Sequence, residues 1–169
     1  MPRGGQDSAA ALDPAERARE IALRLLTHSA RSSAQLRDGL VSRDVPEEIA
    51  DAVVARYQEV GLLDDAVLAG TIARTRHHER GKSRRAIQQE LARKGFEAQD
   101  VENALEQITD EDEHQAARAL ARKRWDQLAG VDYDARVRRV VGMLGRRGYS
   151  PSLAFALVKD FSRADDIGA

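Results

Sequence analysis

The chain has no cysteine, which excludes disulfides, thiolate metal sites and cysteine nucleophiles together. Aromatic residues make up only 4% of it, so large rings do not dominate the core. No apolar run approaches the roughly 18 residues of a membrane-spanning helix, and the N-terminal residues carry no apolar signal core. A soluble, cytoplasmic protein is expected. Net charge is almost missing as well. Lys and Arg number 27 against 28 Asp and Glu, for −1 overall, which argues against a general nucleic-acid coat. Alternating Val, Ile and Thr of strand length are also absent.

What is present is helix-forming material: Ala, Leu, Arg, Glu and Gln dominate. In 169 residues this makes one large all-α domain or a few small modules. Residues 1–12 are small and polar and read as a disordered tail. Asp13-Pro14-Ala15-Glu16 predicts a helix start closed by a capping box, with Ala18, Ile21, Ala22 and Leu25 on one face. Ser32 to Gln35 is a second capping box, ahead of Leu36 and Leu40. Pro46-Glu47-Glu48 opens a third helix, with Ile49, Val53 and Tyr57 inward, and Gly61 stops it. Asp64 caps the next helix, flanked by Leu63 and Leu68 at staple positions, and Asp65 favours its positive end by charge. Gly81-Lys82 breaks the chain and Ser83 caps again, before Ile87 and Leu91. A helix from about Ala98 to Ile108 follows. Asp110 to Glu113 reads as another capping box, opening a long helix through Ala117 and Leu128. Gly130-Val131-Asp132 is a turn. Val137, Val140, Val141 and Leu144 carry the next helix. Ser150-Pro151 caps the last one, expected to end near Phe161.

Three segments repeat one spacing. Leu36, Leu40, Asp44 and Val45 recur as Ile87, Leu91, Gly95 and Phe96, and again as Val140, Leu144, Gly148 and Tyr149. Each ends on a base, a residue suited to the left-handed region, and an apolar residue. That pattern predicts a Schellman-like helix end with its apolar contact, and Asp44 tolerates the conformation better than most side chains. Three tandem three-helix repeats follow, at 13–61, 62–109 and 110–163, with a tail at 164–169. A module of this size is marginal alone, so neighbours are expected to stack in an elongated array.

The charges fall in blocks. From Arg74 to Lys94 there are eight bases against Glu79 and Glu90. From Glu97 to Glu113 there are eight acids and no base, and from Arg118 to Arg147 nine bases against three acids. Arg84 and Arg85 sit in a first helical turn, where the dipole disfavours cations. Arg136, Arg139 and Arg146 recur on the face away from Val137, Val140 and Leu144. Such placement points to an acidic or phosphate-bearing partner.

Catalytic readings fare worse. His28, His77, His78 and His114 read as surface residues, and adjacent His77 and His78 diverge by ~100° on a helix, too far to chelate one ion easily. Gly81-Lys82-Ser83 lacks the upstream glycine of a phosphate loop, because position 76 is arginine, and no strand precedes it. Asp64 and Asp65 are explained as helix-start acids. Trp125, Phe96 and Tyr149 read as core.

Taken together, the motifs resemble the RecX family. The likeness rests on Gly61-Leu62-Leu63-Asp64-Asp65, Leu68-Ala69, Ile72, Arg76, Gly81-Lys82-Ser83 and Ile87-x2-Glu90-Leu91-x2-Lys94-Gly95. Arg31-Ser32 with Gln35-Leu36 upstream and Arg146-Arg147-Gly148-Tyr149-Ser150 downstream complete it. The resemblance covers about residues 16–161 and departs from the family's pattern at Leu68, where an aromatic is usual, and at Gln35, where Glu is. It implies three tandem three-helix repeats in an elongated, curved array, no enzymatic activity, no cofactor and no metal. The implied partner is the RecA filament on DNA, with direct contact to single- or double-stranded DNA left open, no membrane, and a monomeric state. It further implies suppression of RecA's ATPase, strand exchange and co-protease activity, and so control of recombinational repair and the SOS response. The candidate contact residues are Arg74, Arg76, Lys82, Arg84, Arg85, Arg93 and Lys94 in the first basic block, with Arg122, Arg136, Arg139, Arg146 and Arg147 in the second. The competing readings are a helical DNA-binding protein acting independently of RecA, and a helical hydrolase or nuclease needing clustered acids around a metal.

Overall fold

A computed structural model describes residues 13–169; the tail expected at 1–12 lies outside them. The described residues form nine helices in sequence: α1 (Pro14–His28), α2 (Ser33–Val41), α3 (Glu47–Glu59), α4 (Asp65–His78), α5 (Arg84–Arg93), α6 (Ala98–Leu105), α7 (Asp110–Gln127), α8 (Tyr133–Arg146) and α9 (Pro151–Ile167). The fold is all-α, built from three-helix repeats as the sequence predicts. The chain separates into two compact units, a first ending at Leu68 and a second spanning Ala69–Ala169.

Helix starts follow local chemistry closely. Ser32 Oγ accepts from the Gln35 amide at 3.1 Å, and Gln35 Oε1 accepts from the Ser32 amide at 3.0 Å, the reciprocal capping box. Ser83, Asp132 and Ser150 cap α5, α8 and α9. Two starts differ from expectation. Asp13 stands at the N-cap of α1 without a side-chain cap bond; Pro14 at the first position sets φ and brings no amide to satisfy. Thr109, not Asp110, caps α7, because its hydroxyl reaches the Asp112 amide at 3.0 Å while Asp112 returns a bond to the Thr109 amide. The four acids then all lie inside the first turn, where the helix dipole favours them. At the other end, α9 continues to Ile167, past the expected stop near Phe161 and through most of the expected tail. Asp165 is the reason, since it accepts a bond from Trp125 Nε1 at 2.9 Å.

The repeat frame is realised in all three copies. Leu36, Leu40, Ile87, Leu91, Val140 and Leu144 have no exposed surface. Asp44, Gly95 and Gly148 take φ of 64°, 82° and 92°. The closing residues Val45, Phe96 and Tyr149 donate their amides back to Leu40, Leu91 and Leu144 at 3.1, 3.2 and 3.1 Å. The preceding residues bond Val41, Ala92 and Gly145, which completes the paired bonds of a Schellman motif each time.

In the first unit, one apolar cluster joins Ala18, Ala22 and Leu25 of α1 to Leu36 and Leu40 of α2, and to Ala50, Val53 and Tyr57 of α3, with Val45 and Leu63. Asp64 caps α4 through the Val67 amide. Asp65 does more than favour the helix end. Its Oδ1 accepts both the amide (2.9 Å) and the hydroxyl (3.1 Å) of Ser33, tying the start of α4 to the start of α2.

In the second unit, α4 presents Ala69, Gly70, Ala73 and His77 inward, and Ile87, Leu91, Phe96, Val101, Ala104 and Ile108 are buried. His77 is 5% exposed, so it is a core residue, contrary to the surface role expected of it. It follows Ala69 and Ala73 at four-residue steps, and its Nδ1 lies 3.1 Å from the Lys82 carbonyl, closing the α4–α5 connection. In the third repeat, Ala117, Ala121, Trp125 and Leu128 of α7 pack with Val140 and Leu144 of α8 and with Ala154, Leu157, Val158 and Phe161 of α9. Its helix stop meets the α4–α5 turn. The Ser83 amide donates to the Arg147 carbonyl at 2.9 Å, and the Tyr149 hydroxyl donates to the Gly81 carbonyl at 2.8 Å.

That seam yields two expectations. A methyl group at Gly148 would be driven into Ser83 Oγ and Ala86 Cβ on a left-handed backbone, so Gly148→Ala should cost about 2 kcal/mol or more in thermal or urea unfolding. Asp44→Gly, at the equivalent position, should stay within about 1 kcal/mol of the parent, because relief of φ is offset by glycine's flexibility when unfolded. The second expectation concerns Tyr149, whose hydroxyl is pushed up to about 12 by burial, then by Glu113, against a smaller opposing effect of Arg147. Its folded value lies above its unfolded one, so its stabilisation is full below about pH 10 and is lost as pH rises through about 12. Absorbance titration at 295 nm should show a late tyrosine ionisation that disappears in Tyr149→Phe.

Candidate interaction surface

The two basic blocks fold into two different kinds of cation. The first kind is internal. Glu90, at 14% side-chain exposure, lies among Arg76, Lys82 and Lys94. Arg76 Nε is 2.9 Å from both carboxylate oxygens, and the ammonium groups of Lys82 and Lys94 stand at 3.7 and 3.6 Å. Burial alone would raise the Glu90 carboxyl. The Arg76 hydrogen bonds, with the charges of Lys94, Arg76 and Lys82, outweigh it and hold the group below the usual glutamate range. One acid therefore clamps α4, the α4–α5 turn and the C-terminal end of α5.

Arg84 is half-buried and paired too. Its Nε donates to Glu113 at 3.0 Å and Nη1 to the Ile108 carbonyl at 3.2 Å, and Nη2 pairs with Asp110. The first-turn position that disfavours a cation on α5 is answered by acids at the start of α7, so the second and third repeats are joined by charge. Arg136, expected on an open face, has only 14% of its side chain exposed. Its guanidinium lies 3.5 Å from the Trp125 ring centroid, and its Nε and Nη2 donate to the Trp125 carbonyl at 2.9 and 2.7 Å. It thus caps the C-terminal end of α7, where a cation is favoured. Trp125 is the core anchor the sequence predicts, at 1% exposure. Arg122 pairs with Asp126 at 3.1 Å and Asp165 at 3.5 Å. Arg147 donates to the Arg80 carbonyl at 3.2 Å, and Arg74 to Gln107 Oε1 at 2.7 Å.

The second kind is exposed. Arg85 and Arg93 on α5, and Arg139 and Arg146 on α8, lie on the surface with no hydrogen-bond or ion-pair partner among the described residues. A further residue joins them. Arg138 is exposed and unpaired in the same sense, and it was not among the residues singled out from the sequence. The signal was there: Arg138 and Arg146 follow Arg85 and Arg93 at the 53-residue offset that relates Ile87 to Val140. Two exposed cations of the second repeat, Arg85 and Arg93, therefore have counterparts at equivalent helical positions of the third, while Arg139 stands opposite Ala86. Among the described residues no three His, Asp or Glu side chains converge as a metal site, and no helix is long and apolar enough to cross a membrane.

The Glu90 clamp sets a pH dependence. A carboxyl held below its ordinary value stabilises the fold above the unfolded range and loses that stabilisation as pH falls through the folded value. Glu90→Gln should cost about 2 kcal/mol at pH 7, by stripping Arg76 of a charged acceptor. The gap between variant and parent should close on acidification below the usual glutamate range, read by urea unfolding at a series of pH values.

Comparison with known proteins agrees with the three-repeat organisation of the chain. Models of the first, second and third three-helix domains of RecX match residues 18–56, 64–105 and 110–158. The regulatory protein RecX of Streptomyces lividans is 44% identical over 147 residues, covering 87% of this chain and 78% of the relative. That of Thermobifida fusca is 43% identical over 166 residues, covering 98% and 89%. The crystal structure of RecX from Lactobacillus salivarius superposes with a TM-score of 0.75 at 21% identity over 89% of this chain and 97% of that one, and so supports the fold. A second crystal structure of a regulatory protein RecX gives 0.72 at 26% identity, over 95% and 81%. With all three domain models matched in order and curated relatives above 40% identity along nearly its whole length, the chain belongs to the RecX family.

Proposed function

We propose that this protein binds the RecA filament on DNA and restrains RecA's ATP hydrolysis, strand exchange and co-protease activity, thereby tuning recombinational repair and the SOS response in the cytoplasm. It acts by binding, as a monomer, and not by catalysis. Family membership supports the regulatory role, and one observation carries the contact. Arg85 and Arg93 on α5 recur as Arg138 and Arg146 on α8, exposed and without acidic partners among the described residues. A protein with a net charge of −1 that neutralises Arg76, Lys82, Arg84 and Lys94 internally, yet leaves these free at matching positions, suits a partner that repeats its own negative charge. A filament of identical subunits on a phosphate backbone is such a partner.

The proposal concentrates the contact on Arg85, Arg93, Arg138, Arg139 and Arg146. Arg74, Arg122 and Arg147 contribute at its edge, and Arg76, Lys82, Arg84, Lys94 and Arg136 act through the fold that presents it. Charge reversal separates the two sets. Arg85→Glu with Arg93→Glu, or Arg138→Glu with Arg146→Glu, should raise the concentration needed to inhibit single-stranded-DNA-dependent RecA ATPase by tenfold or more, about 1.4 kcal/mol, with helicity by circular dichroism unchanged. Inhibition at the parent concentration by both folded double variants would sink the proposal.

A further inference from the structure

Seven aromatic residues occur in the chain, and their burial divides sharply. Tyr57, Phe96, Trp125, Tyr149 and Phe161 are between 1% and 6% exposed. Tyr133 and Phe155 are 54% and 53% exposed, and both line the same open groove, of about 550 Å³, between α8 and α9. Val137 and Val158 give it an apolar wall, Arg138 and Lys159 line it with positive charge, and Asp134 is its one acid. Neither Arg138 nor Lys159 has an ion-pair partner among the described residues. Tyr133 is held in place from behind: it is the first residue of α8 after the Asp132 cap, and its ring meets Trp125 edge-on, with centroids 6.1 Å apart and planes at 87°.

We propose that this groove is a stacking seat for unpaired bases of a single-stranded nucleic acid, with Tyr133 and Phe155 as platforms and Arg138 and Lys159 meeting the flanking phosphates. Positioned rings combined with a basic lining are the general means of holding single strands without sequence preference, because every base offers a π-face and every nucleotide a phosphate. A single strand engages rings and cations together. An acidic protein segment engages the cations alone, and a duplex keeps its bases stacked out of reach. The inference rests on the filament reading in one respect only, that the filament is what carries such a strand to the protein.

The test uses the full chain without RecA. A fluorescein-labelled oligo(dT) and an abasic oligonucleotide of equal length carry the same phosphates, so their difference in affinity by anisotropy isolates base stacking. The parent should bind oligo(dT) at least about fivefold more tightly than the abasic strand, the lower end of what one stacked base contributes. Tyr133→Leu and Phe155→Leu, which keep apolar volume but remove the rings, should bring oligo(dT) down to the abasic affinity and leave the abasic affinity unchanged. The single tryptophan, Trp125, should change its emission on titration with oligo(dT) and not with the abasic strand. Equal affinity of the parent for the two strands, or discrimination that survives in both leucine variants, overturns the seat. Loss of RecA binding in the leucine variants with oligo(dT) affinity intact also overturns it, by assigning the groove to a protein. Running the RecA ATPase assay on the same parent preparation separates the two proposals. Inhibition without strand discrimination leaves the filament reading standing alone, and discrimination without inhibition leaves the seat standing alone.

Discussion

The structure depends on one backbone constraint used three times, a helix that must end in the left-handed region. At Asp44, Gly95 and Gly148 the chain turns with φ of 64°, 82° and 92°, and the next residue is thrown back over the helix it has just left. Its amide bonds the carbonyl five residues earlier, and its side chain joins the core. Val45, Phe96 and Tyr149 are buried for that reason. In the third copy the turn does further work. It places the Arg147 carbonyl and the Tyr149 hydroxyl where the Ser83 amide and the Gly81 carbonyl need partners. A motif that is local in the first copy becomes, in the third, the joint between two repeats.

Electrostatics then sorts the cations. A base one turn from the core finds an acid supplied by a neighbouring element. Glu90 serves α4, the α4–α5 turn and the C-terminal end of α5, and Glu113 with Asp110 serves Arg84. The acid-rich stretch from Glu97 to Glu113 is thus in part the counter-ion of the basic stretch before it. A near-zero net charge leaves room for unpaired cations on the surface, because many of the charges are paired with one another.

Much of this was legible in the sequence, for physical reasons that can be named. The repeat frame was readable because a left-handed stop and its apolar follower are fixed by local sterics. Caps at Ser32, Ser83 and Ser150 were readable because a hydroxyl bonds within three residues. Apart from the caps at Asp13 and Thr109, the departures are long-range or rest on burial. The helix dipole accounts for Asp65 in the sequence, but its partner is Ser33, distant in the chain and adjacent in space. Arg136 was placed on an open face, since helical periodicity alone does not reveal that Trp125 lies beneath it. His77 looked like a surface residue because its polarity outweighed its place in line with Ala69 and Ala73. The end of α9 was missed because the bond that holds Asp165 comes from Trp125, forty residues away. Periodicity tells which face turns inward, and it does not tell which polar group is waiting there.

The same distinction explains why the surface does not repeat as faithfully as the core. The positions of the first repeat that correspond to Arg85 and Arg93 are Ala34 and Ser42, so that repeat shares the frame and lacks the cations. Nothing in the frame forbids this. Leu36, Leu40, Asp44 and Val45 fix how the helices end and pack, and an exposed side chain with no partner in the fold is free to differ at little cost to it. Where the second and third repeats nevertheless agree outside the frame, packing gives no reason for the agreement. Arg85 with Arg138, and Arg93 with Arg146, are exposed and pair with no acid among the described residues. Two exposed cations, each placed twice in the same way, are what the proposed filament contact explains and the packing does not.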